Sequence, residues 1–567
     1  MLRLTAPFGL IALTATAAMA QQAPAPAPAA QPAPAVSAAE RNAILNAVLP
    51  EDQAAMKGHV MFLASDQLRG RDAGSPEFDI AAQYVASQFY AQGLRPAGDD
   101  GSYLQKVPLL SYKAADKGSM SITRKGAAPI TLVFGQDFVP AANPDKLDFT
   151  LTAPVVFVGQ GIVGLGRDDY KGVDVKGKIV AFFGGAPTTF PAEERAHFSN
   201  VATKAQIALK KGAVGYITLE SPRAGRGNYP FPMIAATWER PRVTWARADG
   251  RGFIPTPGAP GLGMLSKAGA EKLFAGAKTS WADIVKAAQA ENATFKAMPL
   301  ATSLGVALKT VTTPITSYNV AGMLPGSDPA LAQEVVVLTA HLDHVGVGTP
   351  NAKGDPIYNG AMDNAVGVAS LIEEAKRFKA SGKAPRRSIL FLAVTAEEKG
   401  LVGADYFAQN PTVPKANMVA NVNLDMPIIT YKFEDVTPFG ADHSTLGETV
   451  RRAAAQIGVG VGGDPRPDEA FFVRSDHYRF VQQGIPSVFL WPGEAGPGKA
   501  ATDSFLADNY HKPSDEVVQS RPIDWESGVR FVDVNYRIAR EIADADQRPV
   551  WKKGDFFGTA FGGPMAK

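Results

Sequence analysis

The sequence has no cysteine in its 567 residues. This absence excludes disulfide bridges, thiolate catalysis and zinc sites that use cysteine ligands. A metal site in this protein must therefore use His, Asp and Glu side chains. Histidine is also scarce, with seven in the chain, and most of them lie in the C-terminal half: His341, His344, His443, His477 and His511.

The chain also lacks an excess of charge of one sign. It has 57 Lys and Arg against 55 Asp and Glu, which gives a net charge of +2. This balance indicates neither a nucleic-acid partner nor a membrane-surface partner. Hydrophobic residues make up 46% of the chain and charged residues 20%, as in ordinary globular proteins, and the length predicts more than one domain.

Long apolar runs are absent beyond the first residues of the chain. Residues 1–20 combine a basic start at Arg3, an apolar stretch from Leu10 and a small-residue cleavage pattern at Ala18-Met19-Ala20. This combination predicts a signal peptide, and the alternative is a mobile hydrophobic N-terminus. We therefore expect an exported bacterial protein, periplasmic or extracellular, whose mature chain has no membrane span.

The rest of the chain divides by composition and pattern. Residues 21–37 are almost entirely Ala, Pro and Gln, which predicts an extended linker. Residues 38–140 and 303–548 are predicted to be the two parts of one main domain. Residues 141–295 contain no cluster of ligand-type residues, so we expect an inserted β-rich domain that shapes a cleft rather than a second catalytic unit. Residues 549–567, rich in Gly, Lys and Phe, are expected to be a loose tail.

A polar loop, residues 65–75, lies between two predicted helices at 54–63 and 78–90. It is rich in turn-forming residues. Its two arginines, Arg69 and Arg71, favour a structural turn tied to a neighbouring carboxylate, and binding of an acidic group is the alternative.

Short apolar strands alternate with helices in the second half of the chain. The predicted strands are 335–338, 389–394, 418–424 and 487–491, and the predicted helices include 366–379 and 445–457. Continuous apolar strands separated by helices predict an α/β fold, with a mixed, mostly parallel central sheet covered by helices on both faces. Sites on such sheets form outside the carboxyl ends of the strands.

Charged residues follow the end of the first of these strands. The strand runs directly into His341-Leu342-Asp343, and residues i and i+2 share one face of a strand. Asp343 is therefore placed to accept the second N–H of a metal-bound His341. His344 competes as a ligand, but its side chain should point to the other face.

The next two motifs contain Asp363 and the pair Glu397-Glu398. Asp363 precedes a predicted helix, where it is either an N-cap or a carboxylate that bridges two metal ions. Two adjacent carboxylates at the end of a buried strand require compensation of their charge, and a metal ion is the usual compensation. Because neighbouring side chains point in different directions, one should bind the metal and the other should act as general base towards water.

Three further residues complete the set of candidates. Asp425 follows a third apolar strand, His511 lies in a turn-rich loop, and His477 is the other candidate histidine. The consecutive Ser475-Asp476-His477 do not form a nucleophilic triad, because adjacent side chains cannot relay a proton in line. The sequence also lacks a G-x-S-x-G nucleophile elbow.

These motifs occur together and in one order: His341-x-Asp343, Gly360-x-x-Asp363-Asn364, Glu397-Glu398-x-Gly400-Leu401-x-Gly403, Asn423-Leu424-Asp425-Met426, Ser475-Asp476-His477 and Tyr510-His511. In this combination the chain resembles the zinc peptidase family that includes secreted double-zinc leucyl aminopeptidases, glutamate carboxypeptidase and the transferrin receptor. The resemblance covers about residues 38–140 and 303–545 and implies the zinc exopeptidase fold. The insert resembles the protease-associated domain, with its best local match at Gly212-Ala213-Val214-Gly215.

The resemblance implies two Zn²⁺ ions per chain. It implies that Asp363 bridges the two ions and that two further residues complete each site. The implied ligands are His341 and Asp425 at the first site, Glu398 and His511 at the second, and Asp363 at both.

The resemblance also assigns roles beside the metal ions. It implies that Glu397 is the general base and that Asp343 orients His341. Tyr510 matches a position whose phenol helps to hold the oxyanion, and Arg474 matches a position that contacts the substrate backbone. His477 is implied to be structural.

The implied function is that of a secreted zinc exopeptidase, an aminopeptidase that acts on peptides. A dizinc carboxypeptidase or dipeptidase is the first alternative, and it would need a positive pocket for the substrate carboxylate. A glutaminyl cyclase-like transferase with one zinc ion is the second alternative. A non-catalytic binding protein on the same fold is the third.

Overall fold

The computed structural model describes residues 37–223 and 228–567. The predicted signal peptide, and the predicted linker up to residue 36, lie outside the described residues. Met1–Ala47 and Val48–Lys567 are separate units. The described part of the first unit contains the helix α1 (Ala38–Leu45), whose first turn is capped reciprocally by the side chains of Ser37 and Glu40.

The second unit combines helices with strands. Its α-helices are α2 (Glu51–Leu63), α3 (Pro76–Ala91), α4 (Ala192–Ser199), α5 (Val201–Lys210), α6 (Phe231–Ala236), α7 (Lys267–Leu273), α8 (Trp281–Ala288), α9 (Val366–Ala380), α10 (Val402–Gln409), α11 (Leu446–Ala455), α12 (His477–Val481), α13 (Gly498–Asp508), α14 (Trp525–Asp544) and α15 (Phe556–Ala560). Its strands are β1 (Arg95–Pro96), β2 (Leu104–Ala114), β3 (Ser119–Arg124), β4 (Ile130–Thr131), β5 (Phe138–Pro140), β6 (Asp148–Phe157), β7 (Val163–Gly164), β8 (Arg167–Asp168), β9 (Ile179–Phe183), β10 (Gly215–Leu219), β11 (Arg242–Trp245), β12 (Gly261–Leu265), β13 (Met298–Leu324), β14 (Val335–His341), β15 (Gly346–Val347), β16 (Ile357–Tyr358), β17 (Ser388–Val394), β18 (Met418–Asn423), β19 (Asp435–Phe439), β20 (Gly460–Val461) and β21 (Ser487–Pro492). Among the described residues, no helix is both long enough and apolar enough to cross a membrane.

The main sheet has the strand order β11-β2-β13-β17-β14-β18-β21-β19-β20. Its central strands β17, β14, β18 and β21 are parallel, and antiparallel neighbours flank them on both sides. In this register His341, at the end of β14, pairs with Val394 at the end of β17. The parallel centre therefore brings several carboxyl ends to one edge of the sheet.

Helices cover both faces of the main sheet. In β14, Val336 and Leu338 pack in the core on one face with α2, α9 and α14, whereas Val335 and Val337 pack on the opposite face with α10 and α12. All seven residues of β14 are buried for this reason. Strands buried on both faces have continuous apolar sequences. The predicted α/β fold, with a mixed sheet covered by helices on both faces, is confirmed.

The insert has a sheet of its own, with the strand order β4-β3-β13-β6-β9-β10-β12-β5. Its strands β6, β9, β10 and β12 are parallel. Helices α7 and α8 pack on one face of this sheet and α5 packs on the other. The insert is therefore α/β rather than simply β-rich as predicted, because parallel strands require crossover connections. Its identity as a protease-associated domain stays a prediction.

The borders of the insert differ from the predicted ones when they are drawn by strand pairing. The single strand β13 pairs with β6 up to Lys309 and with β2 from Thr310 onwards, so it runs through both sheets. Residues 119–140, predicted in the main domain, contain strands that pair in the insert sheet. Conversely, β11 lies inside the predicted insert but pairs with β2 of the main sheet. No break in the sequence pattern marks these changes, because β13 passes from one sheet to the other without interruption.

The last residues do not form the predicted loose tail. Residues 549–567 include α15, and the side chains of Trp551 and Phe557 are fully buried in the main core. The indole Nε1 of Trp551 donates to the main-chain oxygen of Gly484 at 2.8 Å. Burial of two large aromatic side chains favours docking of this segment despite its glycines.

Candidate metal centre

The candidate residues lie in loops at the carboxyl ends of three central strands. His341 is the last residue of β14, Glu397 and Glu398 follow β17, and Asp425 follows β18. Because the three strands are parallel neighbours, these loops meet at one edge of the main sheet. A pocket at this edge is lined by His341, Asp363, Glu397, Asp425 and His511 among others.

One group of donors combines His341, Asp363 and Asp425. The Nε2 atom of His341 lies 3.2 Å from Oδ1 of Asp363 and 3.1 Å from Oδ1 of Asp425. The three side chains are buried, and their donor atoms lie within 4.8 Å of one another. The structure therefore brings together the three residues that the sequence assigned to the first metal site.

A second group lies on the other side of Asp363. The Nε2 atom of His511 lies 3.2 Å from Oδ2 of Asp363 and 3.2 Å from Oε2 of Glu398. Asp363 thus directs one carboxylate oxygen to His341 and the other to His511. This is the arrangement expected of a bridging carboxylate, and Asp363 does not cap the following helix α9, whose N-cap position is Ala365.

His344 is also part of the second group, which contradicts the prediction that it points away. Its Nδ1 atom lies 2.8 Å from Oε1 of Glu398, and His344, Asp363 and Glu398 hold donor atoms within 4.8 Å of one another. The alternation of side chains that supported the prediction ends with β14 at His341. His344 lies beyond the strand, so its direction is set by the loop rather than by strand periodicity.

The donor set fits Zn²⁺. In a tetrahedral site, ligand atoms about 2.0–2.1 Å from zinc are separated by about 3.3 Å from one another. The His-to-carboxylate distances of 3.1 and 3.2 Å at His341 and His511 match this separation. The donors are imidazole nitrogens and carboxylate oxygens, which is the chemistry that zinc accepts in a protein without cysteine. The count of ions stays a prediction.

The donor groups shift one another's pKa values. Burial alone would raise the pKa of Asp363 and of Glu398, but neighbouring imidazoles outweigh burial, so the pKa of Asp363 lies well below its usual range and that of Glu398 falls to about 2. Burial would lower the pKa of His511, but hydrogen bonds to Asp363 and Glu398 raise it to about 10. Positive charge is therefore strongly favoured between these carboxylates.

Glu397 lines the same pocket, next to the Glu398 donor. Burial raises the pKa of Glu397 well above its usual range, and repulsion from Asp425 and Glu398 adds to the rise, although His341 opposes it. The adjacent glutamates therefore face different surroundings, since Glu398 contacts two imidazoles. This agrees with the predicted division between one metal ligand and one base, whose roles stay predictions.

Asp343 makes a different contact from the predicted one. The Nδ1 atom of His341 lies 3.1 Å from the main-chain oxygen of Asp343, not from its carboxylate. The carboxylate instead accepts the main-chain N–H groups of Glu397 at 3.0 Å and Glu398 at 3.3 Å. The physical reason is the end of β14, after which Asp343 no longer shares a strand face with His341. Asp343 therefore positions the glutamate pair.

Two positioning residues were missed in the sequence. The carboxylate of Asp515 accepts the main-chain N–H groups of Met362 at 2.9 Å and Asp363 at 3.0 Å. It thereby holds the loop that carries the bridging aspartate. The only signal in the sequence was its place four residues after His511 in the same turn-rich loop.

The second missed residue is Arg71, whose side chain is buried. Its guanidinium donates to the main-chain oxygens of Leu342 at 2.9 Å, Asn359 at 2.6 Å and Gly360 at 3.1 Å. The predicted structural turn is therefore present, but Arg71 is tied to carbonyl oxygens and not to a carboxylate. Its loop partner Arg69 does reach a carboxylate, at 3.6 Å from Glu77.

Tyr510 and Arg474 lie together at the rim of the pocket. The Nη2 of Arg474 donates to the Tyr510 hydroxyl at 3.1 Å, and both residues line the pocket. Burial raises the pKa of Tyr510 above its usual range, so its phenol keeps its proton. Arg474 thus contacts a candidate catalytic group, and its predicted contact with substrate stays a prediction.

Ser475 and His477 belong to one motif but have different surroundings. The hydroxyl of Ser475 donates to Oδ2 of Asp425, so the serine of the Ser475-Asp476-His477 motif supports a metal-site carboxylate. His477 instead lies buried in α12 beside Phe472 and Phe489. Burial lowers the pKa of His477 to about 3. This placement agrees with the structural role implied for it.

The chain is similar to known peptidases over the segment that contains these residues. Residues 319–538 match the model of peptidase family M28. The leupeptin-inactivating enzyme 1 of Streptomyces exfoliatus is 31% identical over 182 residues, which are 31% of this chain and 36% of that protein. A probable leucine aminopeptidase 2 of Aspergillus oryzae is 27% identical over 190 residues, 32% of this chain and 34% of that protein. The chain thus spans about a third of the length of these relatives.

Among solved structures, an aminopeptidase from Aneurinibacillus sp. strain AM-1 is 20% identical, with a TM-score of 0.46 over 88% of this chain and 95% of that chain. The family model spans His341, Asp363, the Glu397-Glu398 pair, Asp425 and His511, which are the residues that meet in the pocket. The match to peptidase family M28 therefore covers the segment that carries the candidate metal centre, residues 319–538.

Proposed function

We propose that this chain is an exported zinc-dependent exopeptidase, an aminopeptidase that removes N-terminal residues from peptides with two Zn²⁺ ions and Glu397 as general base. The observation that carries the proposal is the position of Asp363, whose two oxygens face His341 and His511 separately. Under this proposal His341 and Asp425 hold one ion, Glu398 and His511 hold the other, and Asp363 holds both. His344 is a further donor beside Glu398.

The chain supplies the acid–base chemistry itself. Bound zinc would acidify water and polarise the scissile carbonyl. Glu397 takes the proton of the attacking water and passes it to the leaving amine. The phenol of Tyr510, held by Arg474, donates to the carbonyl oxygen as that oxygen gains negative charge. Asp343 keeps Glu397 in place through the main-chain N–H of that residue.

The lining of the pocket favours a free substrate amine. Glu397 faces the pocket beside the donors Asp363 and Asp425, and its carboxyl group can accept a hydrogen bond from an α-ammonium group. The apolar wall consists of Met426, Phe471, Phe489 and Trp491. The Glu397 acceptor fits an aminopeptidase better than a carboxypeptidase, for which the lining offers Arg474 as its one arginine.

Chelation followed by zinc replacement tests the proposal. Dialysis against a chelator should abolish hydrolysis of an amino-acid anilide, and added zinc should restore it. Hydrolysis that continues at its full rate after the metal has been removed would refute the mechanism. Two zinc ions per chain are expected by metal analysis, whereas one ion with cyclisation of an N-terminal glutamine would favour the cyclase-like alternative.

Peptides with blocked ends distinguish the two exopeptidase types. An N-acetylated peptide should resist cleavage, and the same peptide with a C-terminal amide should be cleaved. The opposite pattern would assign a carboxypeptidase. Absence of cleavage in both, by zinc-loaded protein, would favour the non-catalytic alternative.

Export is tested on the mature N-terminus. The cleavage pattern at Ala18-Met19-Ala20 predicts that the secreted protein begins at Gln21. N-terminal sequencing of the protein recovered outside the bacterial cytoplasm should give this residue. A chain that retains residues 1–20 in all fractions would contradict export by this signal.

A further inference from the structure

A large cavity lies outside the carboxyl ends of three parallel strands of the insert. Its walls include Gln160 after β6, Gly184 and Gly185 after β9, and Ser221 after β10. The cavity has a volume of about 490 Å³. Crevices at the carboxyl ends of parallel strands are the usual ligand sites of α/β sheets. We call this space the insert cavity.

A buried lysine joins two loops that line the insert cavity. Lys204 of α5 is fully buried and donates to the main-chain oxygens of Gln160 at 2.5 Å and Gly185 at 2.7 Å. It therefore ties the loop after β6 to the loop after β9. Both loops line the cavity, so the space is formed before any ligand enters.

The main domain supplies another wall of the insert cavity. Pro467, Asp468 and Ala470 line it from the main domain, opposite residues of the insert helix α4. Arg195 of α4 forms an ion pair with Asp468 at 2.9 Å. His197 of the same helix contacts the Tyr478 hydroxyl at 2.6 Å. The cavity therefore spans the junction of the insert and the main domain.

One short segment of the main domain borders both this cavity and the metal centre. Pro467, Asp468 and Ala470 line the insert cavity, while Phe471 and Arg474 line the metal-centre pocket. The two spaces are thus separated by only a few residues of a single segment. A peptide that extends from the metal centre past Phe471 and Ala470 would reach the insert cavity.

The lining of the insert cavity suits a peptide main chain. It combines two arginines, Arg195 and Arg223, with the acidic Glu291 and Asp468 and with small polar side chains. Hydroxyl and amide groups of Thr188, Ser199 and Asn228 add donors and acceptors. Such a mixed lining matches alternating N–H and C=O groups, and it contains no His or Asp–Glu cluster for a second reaction centre.

We propose that the insert cavity binds the part of a peptide substrate that follows the scissile bond, and that the substrates are therefore oligopeptides rather than dipeptides. The inference rests on the proposed aminopeptidase function. Binding energy from residues remote from the reacting bond raises kcat/KM for long substrates over short ones. An amino-acid anilide has no residues that could occupy the cavity, so the cavity does not raise its kcat/KM.

Filling the cavity tests this inference. Ala290 is exposed and lines the cavity, so Ala290→Trp introduces a bulky side chain there with little demand on the fold. Thr188→Trp fills the cavity from a second, exposed position. Ala282→Trp is the matched control, because Ala282 is exposed on α8 and does not line the cavity.

The assay compares kcat/KM for leucine anilide and for leucyl peptides of two to six residues, with zinc-loaded protein. We expect wild-type kcat/KM to rise with peptide length, and Ala290→Trp and Thr188→Trp to lose about tenfold on the hexapeptide. The anilide rate should stay within about twofold in both variants, since remote contacts are absent from that substrate. Ala282→Trp should behave as wild type on all substrates.

The outcomes separate the inference from the function on which it rests. A wild-type enzyme that cleaves the anilide but shows no dependence on peptide length overturns the inference and leaves the aminopeptidase intact. Equal losses on anilide and hexapeptide in both tryptophan variants also overturn it. A zinc-loaded wild type that cleaves neither substrate refutes the proposed function itself.

Discussion

Two cavities of this protein occupy equivalent places on two different sheets. The metal centre lies outside the carboxyl ends of β14, β17 and β18 of the main sheet, and the insert cavity lies outside those of β6, β9 and β10. The first is crowded with carboxylates and imidazoles around about 40 Å³. The second has a volume of about 490 Å³ among small and polar side chains and charged side chains of both signs. Topology places both cavities, whereas the side chains at the strand ends decide what each can do.

The two regions also differ in the pKa values of their buried charged groups. In the metal centre, Asp363 and Glu398 keep low pKa values because imidazoles face them. In the insert, burial lowers the pKa of Lys204 to about 7, and its partners are neutral carbonyl oxygens. The metal centre therefore gathers charged groups that a cation would balance, whereas burial suppresses the charge of Lys204 behind the loops of the insert cavity.

The largest effect is expected from Glu397→Gln in the metal centre. Loss of the general base should lower kcat about a thousandfold. Zinc content should stay at the wild-type value, since Glu397 is not one of the donors that face Asp363. Glu448→Gln, at an exposed site paired with Arg451, is the control. If Glu397→Gln kept its turnover, Glu397 would not be the general base, and the metal centre would lack this chemical difference from the insert cavity.

A smaller effect is expected from Asp515→Ala, which acts on the metal centre from outside. Without this carboxylate the N–H groups of Met362 and Asp363 lose their acceptor. Zinc affinity should fall about 10–100-fold, as it does for other residues that orient ligands. Titration against a competing chelator measures it, with Asp515→Asn expected to fall between alanine and wild type. An unchanged affinity would show that Asp515 does not position Asp363.

The next effect is expected from a contact between the insert and the main domain. His443 of the main domain lies 2.5 Å from Glu193 of the insert and 2.6 Å from Asp555. Burial opposes its charge, but the hydrogen bonds raise the pKa of His443 to about 10. A raised pKa stabilises the folded state below the unfolded value of about 6.5 and loses this contribution as the pH rises through about 10.

His443→Gln should therefore lower the free energy of unfolding by about 2 kcal/mol near pH 6, and by progressively less at alkaline pH. Urea midpoints of wild type and variant across this range provide the measurement. A difference that is constant with pH would mean that the charge of His443 does not join the insert to the main domain.

The last prediction concerns Lys204, which joins two loops that line the insert cavity. The pKa of Lys204 is lowered to about 7 by burial, an effect that Asp169 opposes and Arg167 reinforces. The folded state thus binds fewer protons than the unfolded state between about pH 7 and pH 10.5, so wild-type stability rises with pH in that window.

Relative to Lys204→Met, wild type should gain at most about 1.4 kcal/mol per pH unit in that window. Urea unfolding at about pH 6, 7.5 and 9 checks the slope. A flat difference would show that Lys204 keeps its charge when buried, and the contrast with the metal centre would then disappear.

Much of the main domain was predictable because its sequence is periodic. The apolar runs of β14, β17, β18 and β21 predicted strands buried on both faces, and the structure confirms the α/β fold. The insert was harder to predict, since β13 changes sheets without any change in its pattern. The C-terminal segment was wrongly expected to be loose, because burial of Trp551 and Phe557 depends on distant surfaces that composition does not reveal.

The sequence by itself indicated His341, the Glu397-Glu398 pair and Asp425 as neighbours, because residues at the ends of adjacent parallel strands meet at one sheet edge. Only the tertiary structure decided the directions of His344 and Asp343, which lie just beyond β14 where strand periodicity no longer applies. It also decided the support by Asp515 and Arg71, whose contacts join residues that are far apart in the chain. Periodicity is local and can be read along the chain, whereas hydrogen bonds between loops exist only once the sheets have brought those loops together.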